Sequence, residues 1–305
     1  MEKRDLVIVG GGPAGLAAGI YAARAARNTV LLERAMPGGL VVSTDLIENY
    51  PGFTEGIDGV ELMSRMEAQA RRFGLEIAFA DVGELLPADN KFIIKTSSGE
   101  ISAGAVIMAT GVRPQQLQVK GEIELIGRGV SFCATCDGPF FRGKRVVVVG
   151  GGDAAVEEAV YLTKFAEKVL IVHRRGALRA TKVVQQKAFD NAKVEFIWHH
   201  VIDEIHGEGT VNAVTLKDVR DGKKNIIPVD GAFIYVGNEP VSGLVKDLVE
   251  LDDHGYIITD ENMQTSRLGI FAAGDVRDKL LRQVVTAVAD GAVAAVAAEK
   301  YLSEK

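Results

Sequence analysis

A glycine-rich pattern that occurs twice constrains the fold of this chain more than any other feature. Residues 7–35 (VIVGGGPAGLAAGIYAARAARNTVLLERA) align without a gap to residues 147–175 (VVVGGGDAAVEEAVYLTKFAEKVLIVHRR). Each copy contains a β-branched run, a glycine cluster, a helical stretch rich in alanine and a second apolar run, which is the order of a βαβ unit. The repeat predicts an α/β protein with two Rossmann-like dinucleotide-binding domains.

The two glycine clusters have the spacing of a phosphate-binding turn. They comprise Gly10, Gly12 and Gly15 (GxGxxG) in the first copy and Gly150, Gly152 and Ala155 (GxGxxA) in the second. The first glycine permits the turn, the second lets a pyrophosphate approach the backbone, and the third position must be small for helix and strand to pack. The helix N-terminus offers N–H groups to the phosphates. One such cluster also occurs in turns without a ligand, but two in full βαβ context indicate two nucleotide sites.

The residue that ends the second strand differs between the copies. It is Glu33 in the first, where a carboxylate accepts hydrogen bonds from ribose hydroxyls, as in FAD or NAD. In the second it is a histidine followed by arginines, namely His173, Arg174, Arg175 and Arg179. Guanidinium groups bind a 2′-phosphate that a carboxylate would repel, so the second site is predicted to take NADP. The alternative is that HRRGALR is a solvated surface at a helix start.

Both cysteines of the chain, Cys133 and Cys136, lie in SFCATCDGPFF, shortly before the second glycine cluster. A CxxC pair can hold a metal, form a structural staple or act as a redox dithiol. A zinc site needs two further Cys or His ligands, and the five histidines include only one close pair, His199 and His200. Distant ligands remain possible, but a redox dithiol is favoured and no metal site is predicted.

Length and charge limit the other classes of function. A chain of 305 residues is expected to form two domains. The net charge of −6 argues against a nucleic-acid or acidic-membrane surface. The N-terminus has no secretory signal pattern, so a cytoplasmic location is expected. The apolar tail VVTAVADGAVAAVAA is interrupted by Asp290, which predicts a buried helix rather than a membrane span.

Further motifs resemble one family along nearly the whole chain. In order they are GGGPAG, GG then ENYPGF, ATG, CATCDG, GGGDAAVEEA, HRRxxxRA, GIFAAGDV and RQ. This set resembles the low-molecular-weight thioredoxin reductases of the flavin-disulfide reductase superfamily. The larger glutathione-reductase-like members have their cysteine pair soon after the first glycine cluster, and residues 38–53 contain none.

The resemblance implies that an NADPH domain is inserted into an FAD domain. The expected divisions are residues 1–113 and 245–305 for the FAD domain and 117–241 for the NADPH domain. Hydride from NADPH would reach FAD, the Cys133–Cys136 disulfide and then oxidised thioredoxin, with rotation of the NADPH domain between steps. Cys136 would lie next to the flavin, Cys133 would attack the partner, and Asp137 would carry protons. Relatives are homodimers, so a homodimer is expected.

The resemblance also implies which residues bind each cofactor. For FAD they are Gly10, Gly12, Pro13, Ala14, Gly15, Glu33, Gly39, Leu40, Asn49, Val82, Ala109, Thr110, Gly111, Gly274, Asp275, Arg282, Gln283 and Val284. For NADPH they are Gly150, Gly152, Asp153, Ala154, Ala155, His173, Arg174, Arg175, Arg179 and Gly237. Leu40 departs from the family's glutamine, and Gly176 stands where many relatives have an acid.

Two other functions are compatible with the same residues. One is a related flavoprotein that reduces a glutaredoxin-like or other dithiol carrier, or that uses a donor other than NADPH. The other is a nucleotide-dependent sensor with a structural CxxC. The three phenylalanines around the cysteines are expected to be packing residues; they are Phe132, Phe140 and Phe141.

Overall fold

The computed structural model describes residues 1–304, which fold into two compact units. Met1–Arg113 and the segment from Glu239 onward form the first unit, and Pro114–Asn238 form the second. No helix within this described part of the chain is long and apolar enough to cross a membrane.

The strands, in chain order, are β1 (Glu2–Val9), β2 (Thr29–Glu33), β3 (Glu76–Phe79), β4 (Val82–Ala88), β5 (Lys91–Thr96), β6 (Gly99–Met108), β7 (Val112–Pro114), β8 (Val130–Ser131), β9 (Arg145–Gly150), β10 (Lys168–His173), β11 (Val194–Trp198), β12 (His200–Gly207), β13 (Val211–Asp218), β14 (Lys224–Pro228), β15 (Gly231–Tyr235), β16 (Asn238–Pro240) and β17 (Ile270–Ala272). The α-helices are α1 (Pro13–Arg24), α2 (Gly59–Arg72), α3 (Ala134–Asp137), α4 (Asp153–Leu162), α5 (Lys182–Phe189) and α6 (Val284–Ser303).

The first unit is built on a seven-stranded sheet in the order β3-β2-β1-β6-β5-β4, with β17 also paired to β6. Strands β1, β2, β3, β6 and β17 are parallel, whereas β4 and β5 form an antiparallel extension. Their carboxyl ends meet at one edge, because Val9 is in register with both Leu32 and Met108. This edge places the first glycine cluster beside the residues that follow β2, β6 and β17.

The second unit repeats this design on a smaller scale. Its parallel sheet has the order β11-β10-β9-β15-β8, and β12-β13-β14 form a separate antiparallel sheet. The register pairs Gly150 with Tyr235 and Val149 with Val172, so the second glycine cluster also begins at the carboxyl edge of its sheet. The βαβ order predicted from each copy of the repeat is therefore present in both units.

Helix α6 is only partly the buried helix that the tail sequence predicts. Gly291 lies so close to α1 that a Cβ there would be 2.1 Å from the carbonyl oxygen of Ala14, which explains the need for small residues on this face. Val285, Val293 and Val296 are exposed on the other side. The prediction of a buried helix holds for the face toward α1 only, because an apolar composition does not tell which faces of a helix have a neighbour.

Candidate active site

The cysteine pair forms a disulfide at the start of the one-turn helix α3. Cys133 is the N-cap residue, and its sulfur accepts a hydrogen bond from the backbone N–H of Cys136 at 3.1 Å. The hydroxyl of Ser131 accepts from the backbone N–H of Cys133 at 3.0 Å. Cys136 is exposed and Cys133 is half-buried, so the bond is open to reaction. No group of three or more His, Cys, Asp or Glu side chains in residues 1–304 is arranged to hold a metal ion.

Tyr235 connects the disulfide turn to the second glycine cluster. Its hydroxyl accepts a hydrogen bond from the backbone N–H of Ala134 at 2.9 Å. Its carbonyl oxygen would lie 2.4 Å from a Cβ on Gly150, which is why that position needs glycine. Burial, followed by the nearby charge of Glu158, raises the pKa of Tyr235, so the hydroxyl stays neutral. Tyr235 belongs to no sequence motif and Ser131 lies just outside CATCDG, so the roles of both residues were missed.

Asp137 is half-buried and lines a cavity of about 280 Å³ in the second unit, together with Phe140 and Arg128. Its side chain makes no capping hydrogen bond to the following 3₁₀ turn, so the carboxylate is not committed to local structure there. Phe141 is buried and meets Phe233 edge-on, with ring centroids 5.1 Å apart, as a packing residue should. Phe140 is 72% exposed, so the expectation that it is also a packing residue was wrong. Its backbone belongs to a surface turn.

The second glycine cluster leaves open space where a phosphate would approach. A Cβ on Gly152 would meet no atom within 4 Å, whereas one on Gly150 would lie 2.6 Å from the Cβ of Ala155. Helix α4 begins directly afterwards, and a carboxylate oxygen of Asp153 accepts from the N–H of Thr181 at 2.7 Å. Ala154 follows in the first turn. The predicted glycine and alanine roles therefore fit the geometry of this turn.

The ring of His173 is buried against this glycine turn. A Cβ on Gly151 would lie 2.4 Å from its Cε1 atom, and its Nε2 atom is buried without a hydrogen-bond partner among residues 1–304. Burial, and then the positive charge of Arg179, lowers the pKa of His173. The backbone N–H of Arg179 donates to the carbonyl of Gly151 at 2.7 Å, so the arginine loop folds over the turn.

The three predicted phosphate ligands are exposed; they are Arg174, Arg175 and Arg179. None of their guanidinium groups forms an ion pair within the described part of the chain, and burial does not restrict them. Gly176, between them, would place a Cβ 2.9 Å from the ring of His199, so an acidic residue at this position would have to displace that ring. Gly237 lies two residues beyond Tyr235, where its carbonyl accepts from the N–H of Gln115 at 2.9 Å.

The first glycine cluster has the same shape as the second. A Cβ on Gly10 would lie 2.4 Å from the carbonyl oxygen of Ala109, and one on Gly15 would lie 1.9 Å from that of Gly10. A Cβ on Gly12 would meet nothing within 4 Å. Pro13 then opens α1, whose first turn carries no acidic residue to repel an anion. The open N-terminus of α1 fits a pyrophosphate.

Glu33 lies beside this turn, as its position in the repeat predicts. Its carboxylate accepts from the N–H of Gly11 at 2.7 Å and from that of Ala35 at 3.1 Å. Gly39 also approaches the turn, since a Cβ there would lie 3.4 Å from the Cα of Gly12. Leu40, next to it in a 3₁₀ turn, is 45% exposed and offers no polar group.

The residues after β6 lie against the same edge. Ala109 contacts Gly10 as described, and the hydroxyl of Thr110 donates to the carbonyl of Val241 at 2.6 Å. Gly111 has a φ of +63° and its carbonyl accepts from the N–H of Val241. Val82 lies farther away, at the start of β4, two residues after Ala80, whose N–H donates to the carbonyl of Glu33.

The loop after β17 completes this edge. A Cβ on Gly274 would lie 2.8 Å from that of Ala14, and its φ is +81°. The Oδ1 atom of Asp275 is buried and makes no hydrogen bond to residues 1–304. The amide of Asn49 donates to the side chain of Gln283 at 3.1 Å, just before Val284 begins α6. Arg282 lies 3.8 Å above the ring of Tyr256.

Comparisons with known proteins show the family to which the chain belongs. The family model for pyridine nucleotide-disulphide oxidoreductases matches residues 4–291. A thioredoxin reductase of Bacillus subtilis is 49% identical over 301 residues, which is 98% of this chain and 95% of that protein.

Solved structures agree as well. The chain superimposes on Lactococcus lactis thioredoxin reductase, in a crystal form described as the FR conformation, with a TM-score of 0.96 at 46% identity, covering 99% of this chain and 100% of that one. The structure of T. acidophilum thioredoxin reductase gives a TM-score of 0.93 at 36% identity, covering 98% of this chain and 99% of that one. The chain belongs to the pyridine nucleotide-disulphide oxidoreductase family, and within it to the thioredoxin reductases. The predicted fold class and enzyme class are confirmed.

Proposed function

We propose that this protein takes hydride from NADPH, through FAD, to the Cys133–Cys136 disulfide and passes the electrons to an oxidised thioredoxin or thioredoxin-like protein. The observation that carries the proposal is the exposed disulfide turn, hydrogen-bonded through Tyr235 to the strand that borders the second glycine cluster. A cytoplasmic location and a homodimer, expected from the sequence and the resemblance, are part of the proposal.

Three features of the first unit support FAD as its ligand. Gly12 leaves room for a pyrophosphate at the N-terminus of α1. Glu33 places a carboxylate at the end of β2, where ribose hydroxyls would donate to it. Asp275 keeps a buried oxygen without a partner, which a hydroxyl of the flavin's ribityl chain would satisfy.

Three features of the second unit support NADPH rather than NADH. Gly152 again leaves room for a pyrophosphate. Arg174, Arg175 and Arg179 carry positive charge that no carboxylate in the described residues neutralises, and a 2′-phosphate would pair with it. The end of β10 carries no carboxylate that would prefer a ribose hydroxyl.

When bound, NADPH supplies a hydride and FAD relays its two electrons, while the protein's own residues perform the thiol chemistry. After reduction the pair is a dithiol, and the Cys133 thiolate attacks the partner's disulfide, releasing one partner thiolate and forming a mixed disulfide. The Cys136 thiolate then attacks the Cys133 sulfur, which restores the internal disulfide and leaves the partner as a dithiol. The N–H that Cys136 directs at the Cys133 sulfur favours the thiolate. Asp137 takes up and returns the protons.

Anaerobic titration tests the cofactors. NADPH should bleach the flavin absorbance at much lower concentration than NADH. Replacing Arg174 and Arg175 together by glutamine should raise the KM for NADPH at least about tenfold, because hydrogen bonds between charged groups are lost. The KM for NADH is the internal control and should not change. Equal effects on both nucleotides, or no preference for NADPH in the unaltered enzyme, would contradict the assignment of the donor.

Addition of oxidised carriers to the NADPH-reduced enzyme tests the partner. Thioredoxin should be reduced much faster than a glutaredoxin-like protein. Cys133→Ser should abolish reduction of thioredoxin while NADPH still bleaches the flavin, which separates an enzyme from a nucleotide sensor with a structural CxxC. A faster reaction with a glutaredoxin-like carrier would favour the related flavoprotein instead.

We also propose that the NADPH unit rotates relative to the FAD unit between steps, as the resemblance implies. The pair must react both with a flavin and with a bulky protein disulfide, which a single arrangement of two domains does not readily permit. Small-angle scattering of the oxidised and NADPH-reduced enzyme should give different curves. Identical curves, with Cys133 protected from alkylation throughout, would refute the rotation.

A further inference from the structure

Helix α6 contributes a buried carboxylate to the loop that carries Asp275. Asp290 is 9% exposed, and its Oδ2 atom accepts from the backbone N–H of Gly274 at 3.0 Å. The same oxygen accepts from Nζ of Lys279 at 2.9 Å, and the Oδ1 atom is 3.0 Å from a guanidinium nitrogen of Arg277. One carboxylate of the last helix therefore holds three positions of the loop after β17.

Lys279 lies between two carboxylates but is bonded to only one. Its Nζ atom is 2.9 Å from Asp290 and 3.8 Å from the Oδ1 atom of Asp275, which is beyond hydrogen-bond distance. Nζ also donates to the hydroxyl of Thr286 at 3.3 Å. The buried Oδ1 atom of Asp275 is therefore within ion-pair distance of Lys279 but has no hydrogen-bond donor among residues 1–304.

Lys279 is close enough to act on Asp275 electrostatically, and a small movement of its Nζ atom would bring it within hydrogen-bond distance of that carboxylate. Burial raises the pKa of Asp275, while the charges of Lys279 and Arg282 act in the opposite direction. If Lys279 moved onto Asp275, its Oδ1 atom would be satisfied within the protein and lost as an acceptor for a ligand. Without Asp290, the buried Lys279 ammonium group would be expected to pair with Asp275, because an unpaired buried charge is strongly unfavourable.

We propose that Asp290 is a positioning residue for flavin binding. It fixes the backbone at Gly274 and retains Lys279, so that the Asp275 carboxylate faces the cofactor with one oxygen uncommitted. This inference rests on the proposed binding of FAD to the first unit. It adds a residue on the C-terminal helix, which no phosphate-binding or disulfide motif contains, to those that determine the affinity for FAD.

Titration of the flavin-free protein with FAD, followed by quenching of flavin fluorescence, tests the proposal. Asp290→Asn keeps the shape but loses the charge, so Lys279 should turn to Asp275 and the Kd for FAD should rise about 10- to 100-fold, as for loss of a hydrogen bond to a charged group. Glu299→Gln is the matched control, because Glu299 is a carboxylate on the same helix that pairs with Arg27 instead. Its Kd should equal that of the unaltered chain.

The double variant Asp290→Asn with Lys279→Met separates positioning from simple stabilisation. Without the ammonium group Asp275 is no longer captured, so the double variant should bind FAD more tightly than Asp290→Asn alone. A purely structural role of Asp290 predicts the same or weaker binding in the double variant, and that result would overturn the proposal, as would a Kd for Asp290→Asn within twofold of the unaltered chain.

A single variant decides the question if Asp290→Asn does not fold. Lys279→Met leaves Asp290 bonded to Arg277 and Gly274 and leaves Asp275 uncommitted, so the Kd for FAD should change by less than about threefold, as expected for a group that makes no hydrogen bond to the ligand. A rise above about threefold would refute the proposal. If the unaltered chain itself fails to bind FAD, the proposed function fails as well. The titration of the unaltered chain with FAD shows this directly.

Discussion

The hydrogen bond between Tyr235 and Ala134 offers a direct test of what holds the disulfide turn in place. In Tyr235→Phe the ring keeps its packing but the backbone N–H of Ala134, which is fully buried, loses its acceptor at 2.9 Å. A buried donor left without a partner costs about 1–3 kcal/mol. The neutral state of the hydroxyl, which follows from its raised pKa, means that no change of net charge accompanies the substitution.

Hydrogen–deuterium exchange measures this effect at the residue concerned. A cost of about 1–3 kcal/mol corresponds to an increase of roughly 5- to 150-fold in the opening equilibrium that exposes the Ala134 amide. Tyr21→Phe is the control, because Tyr21 is an exposed tyrosine of the first unit and should leave exchange at Ala134 unchanged. Exchange at Ala134 that is equally slow in Tyr235→Phe and the unaltered chain would show that the turn does not depend on this bond.

Four further predictions concern stability, ligand space and pH dependence. Gly15→Ala should destabilise the flavin-free protein by about 1–3 kcal/mol in urea denaturation, since its Cβ would lie 1.9 Å from a carbonyl oxygen. Gly12→Ala should fold nearly normally but bind FAD weakly, and equal FAD affinity would argue against a pyrophosphate there. Glu122 is fully buried and accepts from two backbone N–H groups at 2.7 and 2.8 Å, so Glu122→Gln should cost about 1–3 kcal/mol. The same change at exposed Glu124 should cost nothing measurable, and similar denaturation midpoints for the two variants would contradict the role of Glu122. Because burial lowers the pKa of His173, the unfolded chain binds its proton first as the pH falls. The free energy of unfolding should therefore be unaffected by His173 above the usual histidine pKa of about 6.5 and should fall as the pH decreases below it. In His173→Gln the decrease in the free energy of unfolding between about pH 7 and 5 should be smaller. The same pH dependence of unfolding in His173→Gln and the unaltered chain would refute this role of His173.

The parts of the site that the sequence predicted are those built by short segments of chain. The glycine spacing determines each turn because the close approaches at Gly10 and Gly150 involve neighbouring strands of the same βαβ design. Glu33 could be placed because the end of the second strand in such a unit lies beside the glycine turn. Local pattern and distance along the chain were sufficient for these residues.

The residues that sequence reasoning missed reach the site across long distances along the chain. Tyr235 meets Ala134 because β15 pairs with β8, the strand that leads into the disulfide turn, and nothing in GAFIY marks its last residue as functional. The tail pattern gave Asp290 no role beyond interrupting an apolar run. Its role as the acceptor for Gly274 depends on the packing of α6 against the loop after β17. The exposure of Phe140 was likewise undetermined, because adjacent aromatic residues in a turn can face opposite ways.

The sequence by itself predicted two glycine-rich turns for nucleotides, opposite charges at the ends of the strands that follow them, and a redox-active cysteine pair shortly before the second turn. These features depend on residue type and spacing within about 30 residues, the length of one βαβ unit. Only the tertiary structure decided which groups hold the disulfide turn, which carboxylate receives Lys279 and which oxygen of Asp275 is left without a donor. Hydrogen bonds between distant segments depend on distances of a few tenths of an ångström, and these are fixed by the packing of whole helices and strands rather than by any local pattern.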